Sequence, residues 1–241
     1  MDTVKIEKKQ VSMVAHRGLS GIERENTCPA FVAAGNRSYY GIETDVHVTR
    51  DGQFVIIHDE STGRVSDGAC HVNVEEADYE AVRELVLPDR DGSRLRQDIR
   101  VPLLREYISI CKKYNKRCIL EVKNTFKQDD LSRMVEEIRA LGYLEGVTFI
   151  SFSRENCLNL RAMLPTAEVQ FLCDKVNEEI IAMLVEHRLD LDIYYPSLDA
   201  ALVTRLHSLG IKVNCWTCDN KEHGEALVAM GVDMITSNIL E

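Results

Sequence analysis

Long apolar runs are missing from this 241-residue sequence, and so is any excess of positive charge. A helix that crosses a bilayer needs about 20 mostly apolar residues in succession. No stretch approaches that, so no membrane span is expected. Lysine and arginine number 29 against 39 aspartates and glutamates, a formal net charge of −10. Nucleic-acid binders usually present a basic face, so that partner class is not expected. An anionic small molecule stays open, because a few cations and a metal can make one pocket locally positive. The opening residues Met1 to Gln10 carry Lys5, Glu7, Lys8 and Lys9 with no apolar core, so no signal peptide is expected. Only one Cys-x-x-Cys occurs, Cys215 and Cys218, and without a second pair it reads as two small residues at a strand end rather than a zinc site. The eight cysteines then read as reduced thiols, and the expected location is the cytoplasm. Internal repeats and low-complexity tracts are absent as well.

What is present is a rhythm. Short apolar runs at Val11–Ala15, Ile42–Val48, Phe54–Ile57, Cys118–Val122, Val147–Ser151, Val169–Cys173, Ile193–Tyr195, Ile211–Trp216 and Met234–Thr236 predict strands. Most are followed by a helical pattern. Leu131, Met134, Val135, Ile138 and Leu141 share one helical face, and Leu202, Val203, Leu206 and Leu209 repeat the spacing. Gly210 and Gly231 follow two such stretches as C-terminal caps, and Asn26 and Thr27 offer an N-cap before Pro29. Strand–helix alternation implies parallel strands with helices outside. Thr49-Arg50-Asp51-Gly52 is a hairpin turn, so Phe54–Ile57 pairs back on the preceding strand. Removing it leaves eight parallel strands, the number that closes a (β/α)8 TIM barrel. The rival, a doubly wound open sheet, would normally carry Gly-x-Gly-x-x-Gly in its first turn, and none is present. Residues 59–100 break the rhythm. They are polar, with Gly63, Gly68 and Gly92, and are expected to form a small insertion over the site mouth. The chain 1–241 is thus expected to be a single barrel domain without a full final helix.

Catalytic groups in such barrels collect at the C-terminal ends of the strands. His16 and Arg17 end the first predicted strand, His58 and Asp59 end the hairpin strand, and Glu121 and Lys123 end the next. Glu43 and Asp45 lie two apart in one strand, so both point to the same face, and His47 shares that parity. Facing inward, bare carboxylates would be very costly. Three of them, Glu43, Asp45 and Glu121, make a hard oxygen site for one divalent metal such as Mg²⁺ or Ca²⁺. The alternative is a set of surface acids, with Glu121 paired to Lys123. Two histidines at neighbouring strand ends can take and return a proton near neutral pH. Arg17 and Lys123 can hold phosphate oxygens, the first bidentately and the second as a point charge.

Ordered along the chain are Ala15-His16-Arg17-Gly18, Glu25-Asn26-Thr27, Glu43-Thr44-Asp45-Val46, Thr49-Arg50-Asp51-Gly52, His58-Asp59, Val101-Pro102-Leu103-Leu104, Leu120-Glu121-Val122-Lys123, Ser151-Phe152 and Trp216-Thr217. This series resembles the glycerophosphodiester phosphodiesterase family. Each tetrapeptide alone is weak, and the order and spacing make the set specific. The resemblance implies a metal-dependent barrel hydrolase of lipid and glycerol metabolism that splits small-molecule glycerophosphodiesters into glycerol 3-phosphate and an alcohol. It implies catalysis by His16 and His58, metal binding by Glu43, Asp45 and Glu121, phosphate binding by Arg17 and Lys123, and a glycerol-pocket role for Trp216. Two departures stand out. Arg24 replaces the family's usual proline, and Thr236-Ser237-Asn238 replaces a usual acid. Neither is expected to touch the metal or the histidines. Two other functions compete: a phospholipase D-like or lysophospholipase D activity on lipid diesters, and a non-catalytic barrel that binds phosphorylated ligands.

Overall fold

The computed structural model describes residues 2–241. In chain order the elements are β1 (Ser12–Ala15), α1 (Cys28–Gly35), β2 (Gly41–Val48), β3 (Phe54–Ile56), α2 (Tyr79–Arg83), α3 (Leu104–Tyr114), β4 (Arg117–Val122), α4 (Gln128–Ala140), β5 (Val147–Ser151), α5 (Arg154–Met163), β6 (Glu168–Cys173), α6 (Glu178–His187), β7 (Asp190–Tyr194), α7 (Ala200–Ser208), β8 (Val213–Trp216), α8 (Lys221–Met230) and β9 (Met234–Ser237). Hydrogen-bonded neighbours run β1-β9-β8-β7-β6-β5-β4-β2, and β1 pairs with β2 to close the ring. The eight barrel strands are parallel. β3 lies outside the ring, antiparallel to β2 with Val46 opposite Ile56. This is the (β/α)8 barrel with one extra hairpin strand that the pattern implies.

Local chemistry explains the helix starts. Thr27, Ser153, Asn177, Asp199 and Asn220 each accept a backbone N–H near the start of the helix that follows. α8 ends at Gly231, whose φ of 85° is open to glycine at little steric cost. One predicted strand is misplaced. β7 begins at Asp190 rather than Ile193, because Asp190 and Asp192 alternate with Leu191 and Ile193 and hide the apolar run.

The large core lies between the outer face of the barrel and its helices, and includes Phe31, Tyr107, Met134, Phe149 and Leu206. Inside the barrel, Val14, Ile119, Ile150, Leu172 and Met234 pack as a plug with Trp216 against it. These residues floor the site, and truncating Ile119, which is fully buried, should cost roughly 2–5 kcal/mol. Residues 59–100 are less featureless than their polarity implies. They hold one short helix, α2, too brief to show a helical period, and Val65, Val74, Val82, Leu87 and Ile99 form a separate cluster with Val55, Ile57, Val101 and Leu103. The N-terminal segment meets the end of the chain through a parallel bridge between Val4 and Leu240.

Candidate active site

Glu43 and Asp45 both point into the barrel from β2, and Glu121 joins them from β4, its Cα in register with that of Asp45. Each of the three offers an oxygen within 4.8 Å of the others, and all three are buried. Such a cluster cannot carry three charges unaided. Burial first, then Asp45 and Glu121, push the Glu43 carboxyl well above its ordinary range. Burial and Asp45 raise Glu121 to about 7, against the pull of Lys123. Asp45 goes the other way. Burial opposes its charge, but Arg17 and Lys123 outweigh it and hold the group ionised. Asp45 Oδ1 is buried without a hydrogen-bond donor, its nearest cation being Lys123 Nζ at 3.5 Å. Hard oxygens, mutual repulsion and an orphaned carboxylate oxygen fit a divalent cation. The three residues could therefore hold a metal ion.

The turn after β1 sets the adjoining lip. Arg17 and Gly18 both have positive φ, 53° and 76°. This aims the Arg17 backbone N–H at Glu43 Oε2, 2.8 Å away. A side chain at Gly18 would lie 2.7 Å from the Ala30 backbone, so only glycine fits. Asn26, expected as part of a helix cap, does something else. Its Nδ2 donates to Asp45 Oδ2 at 2.7 Å, while Oδ1 accepts from Thr44 Oγ1 at 2.6 Å, and Thr27 alone caps α1. The carboxylate is thereby locked in orientation.

His16 Nδ1 lies 2.8 Å from Asn238 Oδ1, and Asn238 Nδ2 donates to Asp219 Oδ2 at 2.5 Å. An amide oxygen can only accept, so His16 carries its proton on Nδ1 and leaves Nε2 free as an acceptor, 3.9 Å from Glu43 Oε2. Burial, then Arg17, lowers the His16 pKa to about 4. The expectation that Asn238 stays clear of the histidines is thus corrected: it is the residue that fixes the His16 tautomer. Arg24, the other departure, does stay clear, turning to the Val65 carbonyl and Asp67.

His58 Nδ1 sits 2.7 Å from Asp59 Oδ1. Arg64 then donates to Asp59 Oδ2 at 2.7 Å and to both oxygens of Glu25 at 2.8 Å. Glu25 in turn accepts from Arg17 Nη1 at 2.9 Å. This chain runs from one expected histidine to one expected phosphate ligand, and its central guanidinium comes from residues 59–100. Burial opposes ionisation of Asp59 and Glu25, yet the hydrogen bonds from Arg64 outweigh it and hold both at about 2. His47 also serves this end of the site. It faces Glu75 from Nδ1 at 2.9 Å and the His58 carbonyl from Nε2 at 3.2 Å.

A cavity of about 110 Å³ unites the parts, lined by His16, Arg17, Glu43, His58, Glu121, Asp192, Trp216 and others. Roughly three or four water molecules would fill that volume, so it suits a small polar moiety. The larger hollow near Tyr40, Arg117 and Tyr143 lies at the opposite ends of the strands and holds none of these groups. Phe152 and Tyr194, both exposed, flank Trp216 with ring centroids 5.7 and 5.6 Å away. Every residue expected at the site converges here. Lys123 reaches it through Glu121 Oε1 at 2.8 Å. Sequence reading missed Asn26, Arg64, Asn238 and Asp192. Asp192 left a trace as an acid at an inward parity, and the misplaced start of its strand concealed it.

A barrel that gathers acids, imidazoles and cations at the C-terminal ends of its strands has the makings of a hydrolase for phosphate esters. A sequence model of the glycerophosphoryl diester phosphodiesterase family matches residues 16–240. The chain is 28% identical over 230 residues to a glycerophosphodiester phosphodiesterase of Caldanaerobacter subterraneus subsp. tengcongensis, covering 94% of this chain and 93% of that one. Among solved structures, a glycerophosphodiester phosphodiesterase of Parabacteroides distasonis superposes with a TM-score of 0.77 at 25% identity, over 95% of this chain and 93% of that one. An Oleispira antarctica phosphodiesterase, solved with its product sn-glycerol-3-phosphate, has a TM-score of 0.83 at 21% identity, over 98% and 96%. The chain belongs to the glycerophosphoryl diester phosphodiesterase family. Its class is that of a phosphoric diester hydrolase.

Proposed function

We propose that this chain, acting as one catalytic unit with residues 59–100 over the mouth, hydrolyses small glycerophosphodiesters to glycerol 3-phosphate and an alcohol. The observation that carries the reading is the cavity lined by His16, His58, Arg17, Glu43 and Glu121, with Asp45 completing the carboxylate trio and Lys123 paired to it from behind the lining. Glu43, Asp45 and Glu121 would hold one divalent metal, Mg²⁺ or Ca²⁺, which when bound supplies Lewis-acid stabilisation of charge on the phosphoryl oxygens. Arg17 and Lys123 bind the remaining phosphate charge. The neutral Nε2 of His16 takes the proton of the nucleophile, in our reading the adjacent glycerol hydroxyl. That oxygen attacks phosphorus, and the bond from phosphorus to the alcohol oxygen breaks. His58, entering this step as the imidazolium with Nδ1–H on Asp59, gives its Nε2 proton to the departing alkoxide. The resulting cyclic phosphate is opened by water, with the two histidines exchanging roles. Eight free cysteines accord with a reducing compartment, and we place the enzyme in the cytoplasm on that ground. No helix among the described residues is long and apolar enough to cross a membrane.

The exposed Phe152 and Tyr194 beside the mouth favour a second reading, in which the substrate is a lysophospholipid whose acyl chain rests on these rings. Glycerol 3-phosphate release from glycerophosphodiesters, measured for wild type, His16→Ala and Glu43→Ala after chelation and after Mg²⁺ or Ca²⁺ addition, tests the first reading. Metal-restored release by the wild type alone is expected. Turnover of lysophosphatidylcholine with none of glycerophosphocholine would instead establish the second.

A further inference from the structure

Asp192 is the one acid lining the cavity that the reading above leaves without work. It projects inward from β7, 2% exposed, and its Oδ1 is buried with no hydrogen-bond donor. In the ring of strands β7 stands four places from β2, so Asp192 occupies the wall across from Glu43 and Asp45. It is not one of the three acids whose oxygens converge. The polar layer beside it pairs internally and passes it by. Asn214, in register with Asp192 on β8, donates to Gln170 Oε1 at 3.2 Å and accepts from Thr236 Oγ1 at 3.3 Å.

A second orphan shares that wall. Trp216, also on β8, lines the cavity, and its Nε1 is a buried donor without an acceptor. One unpaired acceptor and one unpaired donor, set among Leu172, Ile150, Thr217 and Thr236, specify the chemistry of their partner. An ammonium group has no lone pair to offer Trp216, and a metal ion would be repelled by the indole N–H. Burial, then Glu121, pushes the Asp192 carboxyl well above its ordinary range, and an ester or ether oxygen still cannot donate to its unpaired Oδ1. A neutral hydroxyl does both.

We propose that Asp192, with the indole N–H of Trp216, is a specificity site for the terminal hydroxyl of the substrate's glycerol moiety. The proposal rests on the glycerophosphodiester reading and narrows it. An acyl group on that hydroxyl removes the donor and overfills the wall, so this subsite selects deacylated diesters over lysophospholipids. Asp192 acts on binding selectivity, while proton transfer stays with the histidines.

The test compares a glycerol phosphodiester with the matching 1,2-propanediol phosphodiester, which keeps the neighbouring hydroxyl and lacks only the terminal one. Wild type should favour the glycerol compound in kcat/KM by roughly 10- to 100-fold, the scale of leaving a buried donor or acceptor unpaired. Asp192→Leu should bring that ratio to near one. Asp192→Asn, whose amide both donates and accepts, should keep most of it. Equal use of the two diesters by wild type overturns the proposal, as does a ratio that survives in Asp192→Leu. Loss in Asp192→Asn as complete as in Asp192→Leu also overturns it, since charge rather than hydroxyl recognition would then be at stake. Calorimetric binding of glycerol 3-phosphate against 1,2-propanediol phosphate repeats the comparison without turnover. If wild type cleaves neither diester but still prefers glycerol 3-phosphate, the subsite stands and the proposed reaction falls. If it binds both phosphates equally, the subsite falls whatever the reaction.

Discussion

The carboxylate trio makes an expectation in which stability and function move in opposite directions. In the metal-free protein Glu121 is raised from 4.5 to about 7. An acid with a raised folded-state pKa contributes stability that is complete below its unfolded value and lost as pH rises through the folded value. The window is therefore about pH 4.5 to 7, and the shift corresponds to about 3 kcal/mol of destabilisation above it. Glu121→Gln removes the charge yet keeps an oxygen that can accept from Lys123. At pH 8 in chelator the variant should be more stable than wild type by about 3 kcal/mol, a rise of roughly 6–12 °C in Tm for a chain of this size. At pH 4.5 the two should melt together. Adding Mg²⁺ or Ca²⁺ should raise the wild-type Tm and leave the variant nearly unmoved, since two carboxylates remain where three are needed. The variant should also lose turnover. Scanning calorimetry across pH 4.5–8.5, with and without chelator, reads all of this. A variant no more stable than wild type at pH 8 without metal would refute the claim that the trio is frustrated when empty of cation.

Other expectations follow from the same geometry. His16→Ala should lower kcat by about 10²- to 10⁴-fold with a much smaller change in KM, as loss of a proton-transfer group does. Stopped-flow or steady-state assay of product release checks it. Arg64→Met cuts the tie between Asp59 and Glu25 and should depress kcat roughly 10-fold while leaving metal affinity intact; an unchanged rate would show that the tie does not orient His58. Because Asp59 and Glu25 are held at about 2, their ion pairs stabilise the folded state above the ordinary carboxylate range and are lost as pH falls toward 2. The extra stability of wild type over Arg64→Met should shrink across that window in acid titrations followed by circular dichroism. Gly18→Ala places a methyl 2.7 Å from Ala30 in a left-handed turn and should destabilise by roughly 1–3 kcal/mol in denaturant melts.

Much of this was legible in the sequence because the barrel repeats a single grammar. Glu43 and Asp45 announced themselves by a two-residue period, and the longer helices by a three- and four-residue period. The hairpin was readable from Thr49-Arg50-Asp51-Gly52. Where the reading failed, the cause was partnership across long separations. Asn238 meets His16 across 222 positions, and nothing local to Thr236-Ser237-Asn238 points there. Arg64 looked like one more charge in a polar stretch, since its meaning depends on Glu25 and Asp59 converging in space. Asn26 has the composition of a cap and was read as one, although its side chain is drawn to Asp45. Asp192 was lost because acids at alternate positions broke the apolar signature by which strands are found.

The cluster beneath residues 59–100 is separate from the large core that ties the barrel to its helices. It also carries the guanidinium that braces His58 through Asp59. Two bodies of apolar packing with the Arg64 ion pairs between them imply two thresholds on heating or in denaturant. The smaller cluster should open first, freeing Arg64 and letting the His58 ring rotate while the eight strands remain closed. Inactivation would then run ahead of global unfolding, and an enzyme silenced by mild stress would recover as fast as one small flap can close again, with no need to rebuild the barrel.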